Sequence, residues 1–287
     1  MAELTPMMQQ YMETKAQYKD CILFYRLGDF YEMFFDDALT VTKELDITLT
    51  GKSCGLEERA PMCGVPYHSV EGYLNRLVQK GYKVAICEQV EDPKFAKGIV
   101  KREVVRIVTP GTNLNMQALD ESKNNYIMCI VYIGDHFGLA VADVTTGDYF
   151  VTELDESRKL LDEIAKFSPS EIICNESLYV SGIDMDDLKN RLQITIYALD
   201  AWYFDDHACE RVLKDHFKTA SLEGLGLGDY NCGMISAGAL MQYLYETQKN
   251  DLAHLSRITC YTTGKYMLLD SSSRRNLELC ETLREKQ

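Results

Sequence analysis

Apolar and polar positions along the chain change period several times, and each change predicts an element. Thr5-Pro6 reads as a helix start, with proline at the first helical position, and Met8, Tyr11 and Met12 follow at helical spacing. An apolar stretch at 21–25, the turn Leu27-Gly28-Asp29 and a second stretch at 31–35 predict a hairpin or two short strands. Ser69 is placed to cap a helix whose buried face is Val70, Tyr73, Leu74, Leu77 and Val78, and Gly81 stops it. Two more strands are predicted at 83–89 and 104–108, the second running into Thr109-Pro110-Gly111-Thr112. Residues 1–112 therefore read as one compact α/β domain around a mixed sheet.

Polar, turn-rich residues 113–125 read as a linker. Beyond it, β-rich runs at 126–133, 137–144 and 149–152 are separated by Gly134-Asp135 and Gly147-Asp148, the turns of a meander. A helix with Leu160, Leu161, Ile164 and Phe167 on one face passes through Ser168-Pro169 into a strand at 171–174. Three antiparallel strands, a helix and a strand is the opening order of a ribonuclease H-like fold, here spanning 126–262. Later helices are predicted at 205–217 and 234–248, the second with Ala237, Leu240, Met241 and Leu244 as its buried stripe. From Tyr266 the pattern changes again, and a helix begun near Ser272 runs to Gln287, so 263–287 reads as the start of a third, helical domain.

Composition narrows the class. A hydrophobic content of 46% suffices for buried cores, and no apolar run approaches the roughly 20 residues needed to span a bilayer. With no basic and apolar leader at the start, a cytoplasmic location and no membrane are expected. Ten cysteines lie far apart without a C-x-x-C pair, which favours reduced, buried thiols over zinc or a redox dithiol. The net charge of -14 argues against a protein that coats nucleic acid, but the charge is uneven. Residues 1–112 hold 14 Lys and Arg against 16 Asp and Glu, a net of -2, leaving 16 against 28, or -12, for the remainder. A polyanion-binding surface is expected in the first part, and a protein-facing one in the second.

Phe24-Tyr25-Arg26-Leu27-Gly28-Asp29-Phe30-Tyr31-Glu32-Met33-Phe34 is the informative stretch. On a strand, Phe30 and Glu32 share one face while Tyr31 and Met33 share the other. A bare Phe-x-Glu is most simply a core ring and a rim charge. Around it, however, stand Thr5-Pro6-Met7-Met8-Gln9-Gln10-Tyr11, Leu45-Asp46-Ile47-Thr48-Leu49-Thr50, Pro61-Met62-Cys63-Gly64-Val65-Pro66-Tyr67-His68, Ala85-Ile86-Cys87-Glu88-Gln89 and Val105-Arg106-Ile107-Val108-Thr109-Pro110-Gly111-Thr112.

In order and spacing these blocks resemble the mismatch-binding domain of the MutS family of DNA mismatch repair proteins. The resemblance continues more loosely through the second segment, similar to that family's connector domain. It sharpens at Asp270 and Arg274-Arg275-Asn276-Leu277-Glu278, similar to the start of its helical core domain. It implies that Phe30 is a wedge entering the minor groove at a mispair, where unstacking is least costly. It implies that Glu32 hydrogen-bonds a base edge beside the wedge. A carboxylate is repelled by phosphates, so Glu32 is expected to weaken binding to intact duplex more than to a kinked mispair. Leu27 and Asp29 would flank the wedge or simply form the turn, and Lys52 aligns with a basic position used against the backbone. The family often has two adjacent basic residues there, whereas this chain has Gly51 before Lys52, so the grip is expected to be slightly weaker. His68 fits either a backbone contact or a helix cap; Lys94, Lys97, Lys101 and Arg102 read as a solvated basic face.

The resemblance further implies mismatched double-stranded DNA as ligand, MutL as a partner of the connector, and a homodimer when full length, with this fragment monomeric and binding DNA feebly alone. ATP and Mg belong to the full-length family protein. No cofactor or metal is expected within these residues, because Gly51-Lys52-Ser53 lacks the earlier glycine of a phosphate-binding loop, position 46 being Asp46. Two other readings compete. One makes 126–260 a metal-dependent nuclease around Asp143 and Asp148, although further converging carboxylates are wanting. The other is a MutS relative that has lost mismatch probing, against which the Phe-x-Glu pair counts.

Overall fold

The computed structural model describes residues 4–91, 98–113, 124–249 and 252–263. The chain divides into two compact units, Met1–Asp120 with Tyr245–Asp251 and Glu121–Leu244 with Leu252–Gln287. Both are mixed α/β, each built on a six-stranded sheet.

In the first unit, helix α1 (Pro6–Gln17) starts with proline at its first turn and buries Met8 and Tyr11. Met12 is turned outward, 42% exposed, because one residue past Tyr11 lies about 100° round the helix from the sheet. Strands β1 (Ile22–Leu27) and β2 (Phe30–Phe34) form an antiparallel hairpin with Leu27 opposite Phe30. The turn is two residues long, and Gly28 takes φ 60°, the left-handed value that a right-twisted hairpin favours. Helix α2 (Phe35–Leu45) follows immediately, then β3 (Thr50–Lys52), β4 (Ala60–Pro66), α3 (Val70–Gln79), β5 (Val84–Gln89) and β6 (Arg102–Val108). Sheet order is β3-β4-β2-β1-β5-β6, with only the β1–β5 pair parallel.

Alternation along β1 and β2 sends side chains to two cores. Phe24, Tyr31, Met33, Val65 and Ile86 pack with Val41 and Leu45 of α2 and Leu74 and Leu77 of α3. On the opposite face Leu23, Tyr25, Phe34 and Cys87 pack with Met8 and Tyr11 of α1. The buried Asp37 carboxylate links these layers, accepting from the Leu23 amide and from Lys15 Nζ, each at 2.9 Å. Ser69 does not cap α3. Its hydroxyl donates back to the Pro66 carbonyl at 3.3 Å, because residues 67–69 form their own tight helical turn before the helix begins.

The second unit opens with the meander β7 (Tyr126–Ile133), β8 (His136–Asp143) and β9 (Asp148–Leu154). Helix α4 (Ser157–Phe167), strand β10 (Glu171–Cys174), helix α5 (Met185–Asn190), strand β11 (Thr195–Ala198), helices α6 (Asp206–Phe217) and α7 (Cys232–Gln248), and the short β12 (Thr259–Cys260) follow. The order β11-β10-β7-β8-β9-β12 has β10 parallel to β7 and β11 parallel to β10, the ribonuclease H-like arrangement. Residues of α6 and α7 cover one face of this sheet and those of α4 and α5 the other. Helix α7 approaches so closely that a Cβ on Gly138 would stand 1.9 Å from the Cys232 carbonyl oxygen. Leu161 of α4 is 42% exposed; the inward positions are Leu160, Glu163 and Ile164. Glu163 tolerates burial because Tyr261 Oη donates to it at 2.5 Å and Lys166 Nζ at 2.8 Å. The helix predicted from Ser272 lies outside the described residues.

Candidate functional site

The tip of the β1–β2 hairpin gathers most of the residues singled out in the sequence. Phe30, first residue of β2, is 46% exposed, while its neighbours Tyr31 and Met33 are sealed in the core. That contrast follows from register: Phe30 pairs with Leu27 and Pro66 at the end of the sheet, beyond the cover that α1 gives to Phe34 on the same face. Glu32 is two residues further in on that face. Opposite it on β4 stands Gly64, whose missing side chain leaves the space beside both residues open: an added Cβ would lie 3.6 Å from Glu32 Cγ and 3.9 Å from Phe30 Cδ1.

Lys52 reaches this face from β3, with β4 between it and β2. Its Nζ donates to Glu32 Oε2 at 2.6 Å and lies 5.8 Å from the Phe34 ring. The carboxylate side chain is 15% exposed and the ammonium side chain 33%, so the pair sits at the rim rather than in the core. On the other face of β3 the side chain of Arg59 lies across bare Gly51, with Cβ 3.2 Å and Nε 3.6 Å from where a Gly51 Cβ would be. A cation thus occupies the space beside the position where the sequence lacks its second basic residue.

The remaining sequence candidates differ in placement. Asp29 is exposed at the turn and its carbonyl accepts from the Tyr67 amide at 2.9 Å, tying the hairpin to the loop before α3. Leu27 is half-buried against the α1-side core, so packing accounts for part of its role. His68 is exposed in the 67–69 turn, edge-on to the Tyr67 ring, and caps no helix. Within the proposed basic face, Lys94 and Lys97 lie outside the described residues, and Lys101 pairs with Glu103 at 2.5 Å. Arg102 is not part of a solvated face: its guanidinium turns inward, donating to the Arg26 carbonyl at 2.7 Å and to Gln10 Oε1 at 3.0 Å.

Arg26 was not singled out by sequence, yet it braces the tip. Its guanidinium stacks 3.8 Å from the Tyr67 ring centroid, lies 3.5 Å from Glu88 and donates to the Gly28 carbonyl. Tyr31 Oη donates to the same Glu88, and burial, reinforced by that carboxylate, pushes the phenol well above its ordinary range. The available signal was its position: a charged residue on a strand face otherwise holding Ile22 and Phe24 needs partners there.

The two acidic residues singled out in the second unit, Asp143 and Asp148, have structural partners. Asp143, fully buried, accepts from the Asn125 amide at 3.0 Å and from the Thr145 amide and hydroxyl at 2.8 and 2.5 Å. Asp148 accepts from Thr146 Oγ1 at 2.9 Å and Asn124 Nδ2 at 3.3 Å. Among the described residues no group of three or more His, Cys, Asp or Glu side chains is arranged to hold a metal ion. None of their helices is long and apolar enough to cross a membrane.

Residues 5–117 match the family model described as MutS domain I, and residues 125–256 match that for MutS domain II. The chain belongs to the MutS family. It is 66% identical over 287 residues to the DNA mismatch repair protein MutS of Lachnoclostridium phytofermentans, covering 100% of this chain and 31% of that relative. The proteins of the same name from Ruminiclostridium cellulolyticum and Acetivibrio thermocellus are each 52% identical over 289 residues, covering 100% of this chain and 33% of theirs. The chain thus spans about a third of the MutS relatives it matches, and its two sheets carry MutS domains I and II.

Proposed function

We propose that this chain is the mismatch-probing and connecting part of a DNA mismatch repair protein. The observation that carries the reading is a phenylalanine ring held 46% exposed at a braced hairpin tip, with a carboxylate on the same strand face. Exposing an aromatic ring forgoes about 2 kcal/mol of burial, which is sustained where the ring has a binding task. Phe30 acts as a wedge in the minor groove, inserted where broken pairing has already reduced stacking, so that errors are read by deformability instead of by a base code. Glu32 accepts a hydrogen bond from a base beside it. Lys52, and Arg59 across Gly51, supply cations for the phosphates; Leu27, Asp29 and His68 flank the groove.

The second unit serves as connector and offers its acidic surface to MutL. ATP and Mg act elsewhere in the full-length protein, which dimerises and works in the cytoplasm; the residues here hydrolyse nothing. The test is Phe30→Ala in the full-length protein, followed by fluorescence anisotropy on mismatched and matched duplex at one salt concentration. Loss of the mismatch preference with an unchanged melting temperature is expected. Retained preference would refute the wedge.

A further inference from the structure

Glu32 and Lys52 form a rim pair at 2.6 Å, and among the described residues the Glu32 side chain takes no other hydrogen bond. Resting on the DNA-probing role proposed above, we infer that Lys52 is a two-position contact. On intact duplex it stays on Glu32; at a mispair it moves to a backbone phosphate and releases the carboxylate to a base edge.

Three observations support the exchange. Lys52 ends β3, the edge strand of the sheet, and a third of its side chain meets solvent, so a phosphate can approach it from outside. Lysine is a compact charge on a flexible four-carbon stem with rotatable donors, so it can swap one oxyanion for another. A pair this exposed is weakly held, and phosphate offers a comparable partner. Geometry supplies the trigger: Phe30 and Glu32 share one strand face beside Gly64, so the ring's entry brings the duplex against the carboxylate. While Lys52 remains paired, the rim presents a neutral unit to the phosphates of undamaged DNA.

The exchange predicts that Lys52 counts as a phosphate contact only in the mismatch complex. Each neutralised phosphate of duplex DNA adds about 0.9 to the steepness with which log affinity falls against log salt concentration. In the full-length protein, anisotropy titrations over a salt series on a G·T-mispaired duplex and its matched counterpart should therefore differ by about 0.9 in slope. Lys52→Met should flatten the mismatch slope and abolish the difference. Glu32→Gln, which frees Lys52 to grip any duplex, should abolish it by steepening the matched slope instead. Lys52→Arg, which keeps the pair's charges, should retain most of the difference and guards against a folding artefact. Equal slopes in the wild type, or an equal loss from both slopes in Lys52→Met, would overturn the exchange. A wild type without mismatch preference would instead sink the probing role itself, whatever its slopes.

Discussion

Gly64 stands directly across the ladder from Glu32, and it is the residue that keeps the face of Phe30 and Glu32 open. Its φ is not positive, so a side chain there is limited by its neighbours and not by the backbone. Gly64→Ala places a methyl at ordinary contact distance, 3.4 Å from the Tyr31 carbonyl oxygen, and should fold normally. Gly64→Leu should fill the space beside the ring and lower affinity for mismatched duplex by about tenfold, while shifting the melting temperature by no more than about 4 °C. Anisotropy and thermal melting of the same samples check both halves; full affinity in the leucine variant would show that nothing enters this space.

The shared strand face of Phe30 and Glu32 was legible in the sequence, whereas its setting was not. Period-two alternation through 30–33 placed Phe30 and Glu32 together, and Gly28-Asp29 marked the turn. Helix α2 escaped because the chain passes from strand to helix without glycine or proline: Phe35 itself takes φ 53°. Its signal was present in Asp36 and Asp37 followed by Ala38, Val41 and Leu45. Strand β4 was hidden by its two prolines. Pro61 is tolerated because it lies one residue beyond the span paired with β2, leaving it a single neighbour, β3. The pairing of Glu32 with Lys52 could not be read, since the two are joined only through that strand.

In the second unit the meander and helices α4, α6 and α7 followed from the alternation and turn residues, whereas α5 and β11 were not read and one face of α4 was misassigned. Leu161 looked apolar enough to be inside, but Glu163 takes the inward position because Tyr261, nearly a hundred residues later, satisfies it. Such a partner leaves no local trace.

Asp143 has an alternative role to exclude. Asp143→Ala removes the acceptor of three backbone amides and a hydroxyl, and should cost about 2–4 kcal/mol in urea unfolding of the second unit. The wild-type chain incubated with Mg or Mn should leave duplex DNA intact. Cleavage by the wild type that Asp143→Asn abolishes would favour the nuclease reading.

Burial pushes the thiols of Cys63, Cys87, Cys174 and Cys209 up to about 12 from an ordinary 9.0. The native chain should therefore react with a thiolate-directed reagent far more slowly than the unfolded chain at pH 8. The sign of the stability effect follows. The folded form retains protons that the unfolded form loses, so this contribution is complete below pH about 9 and is lost progressively as pH rises towards 12. Denaturation midpoints measured upward from pH 8 should fall; a flat profile with rapid native labelling would place these thiols at the surface.

The central claim, a ring inserted at the mispair, is tested most directly by 2-aminopurine placed in the duplex beside the mismatch. Binding of the full-length wild-type protein should unstack that base and raise its fluorescence, and Phe30→Ala should bind without the rise. An equal rise with the alanine variant would contradict the account.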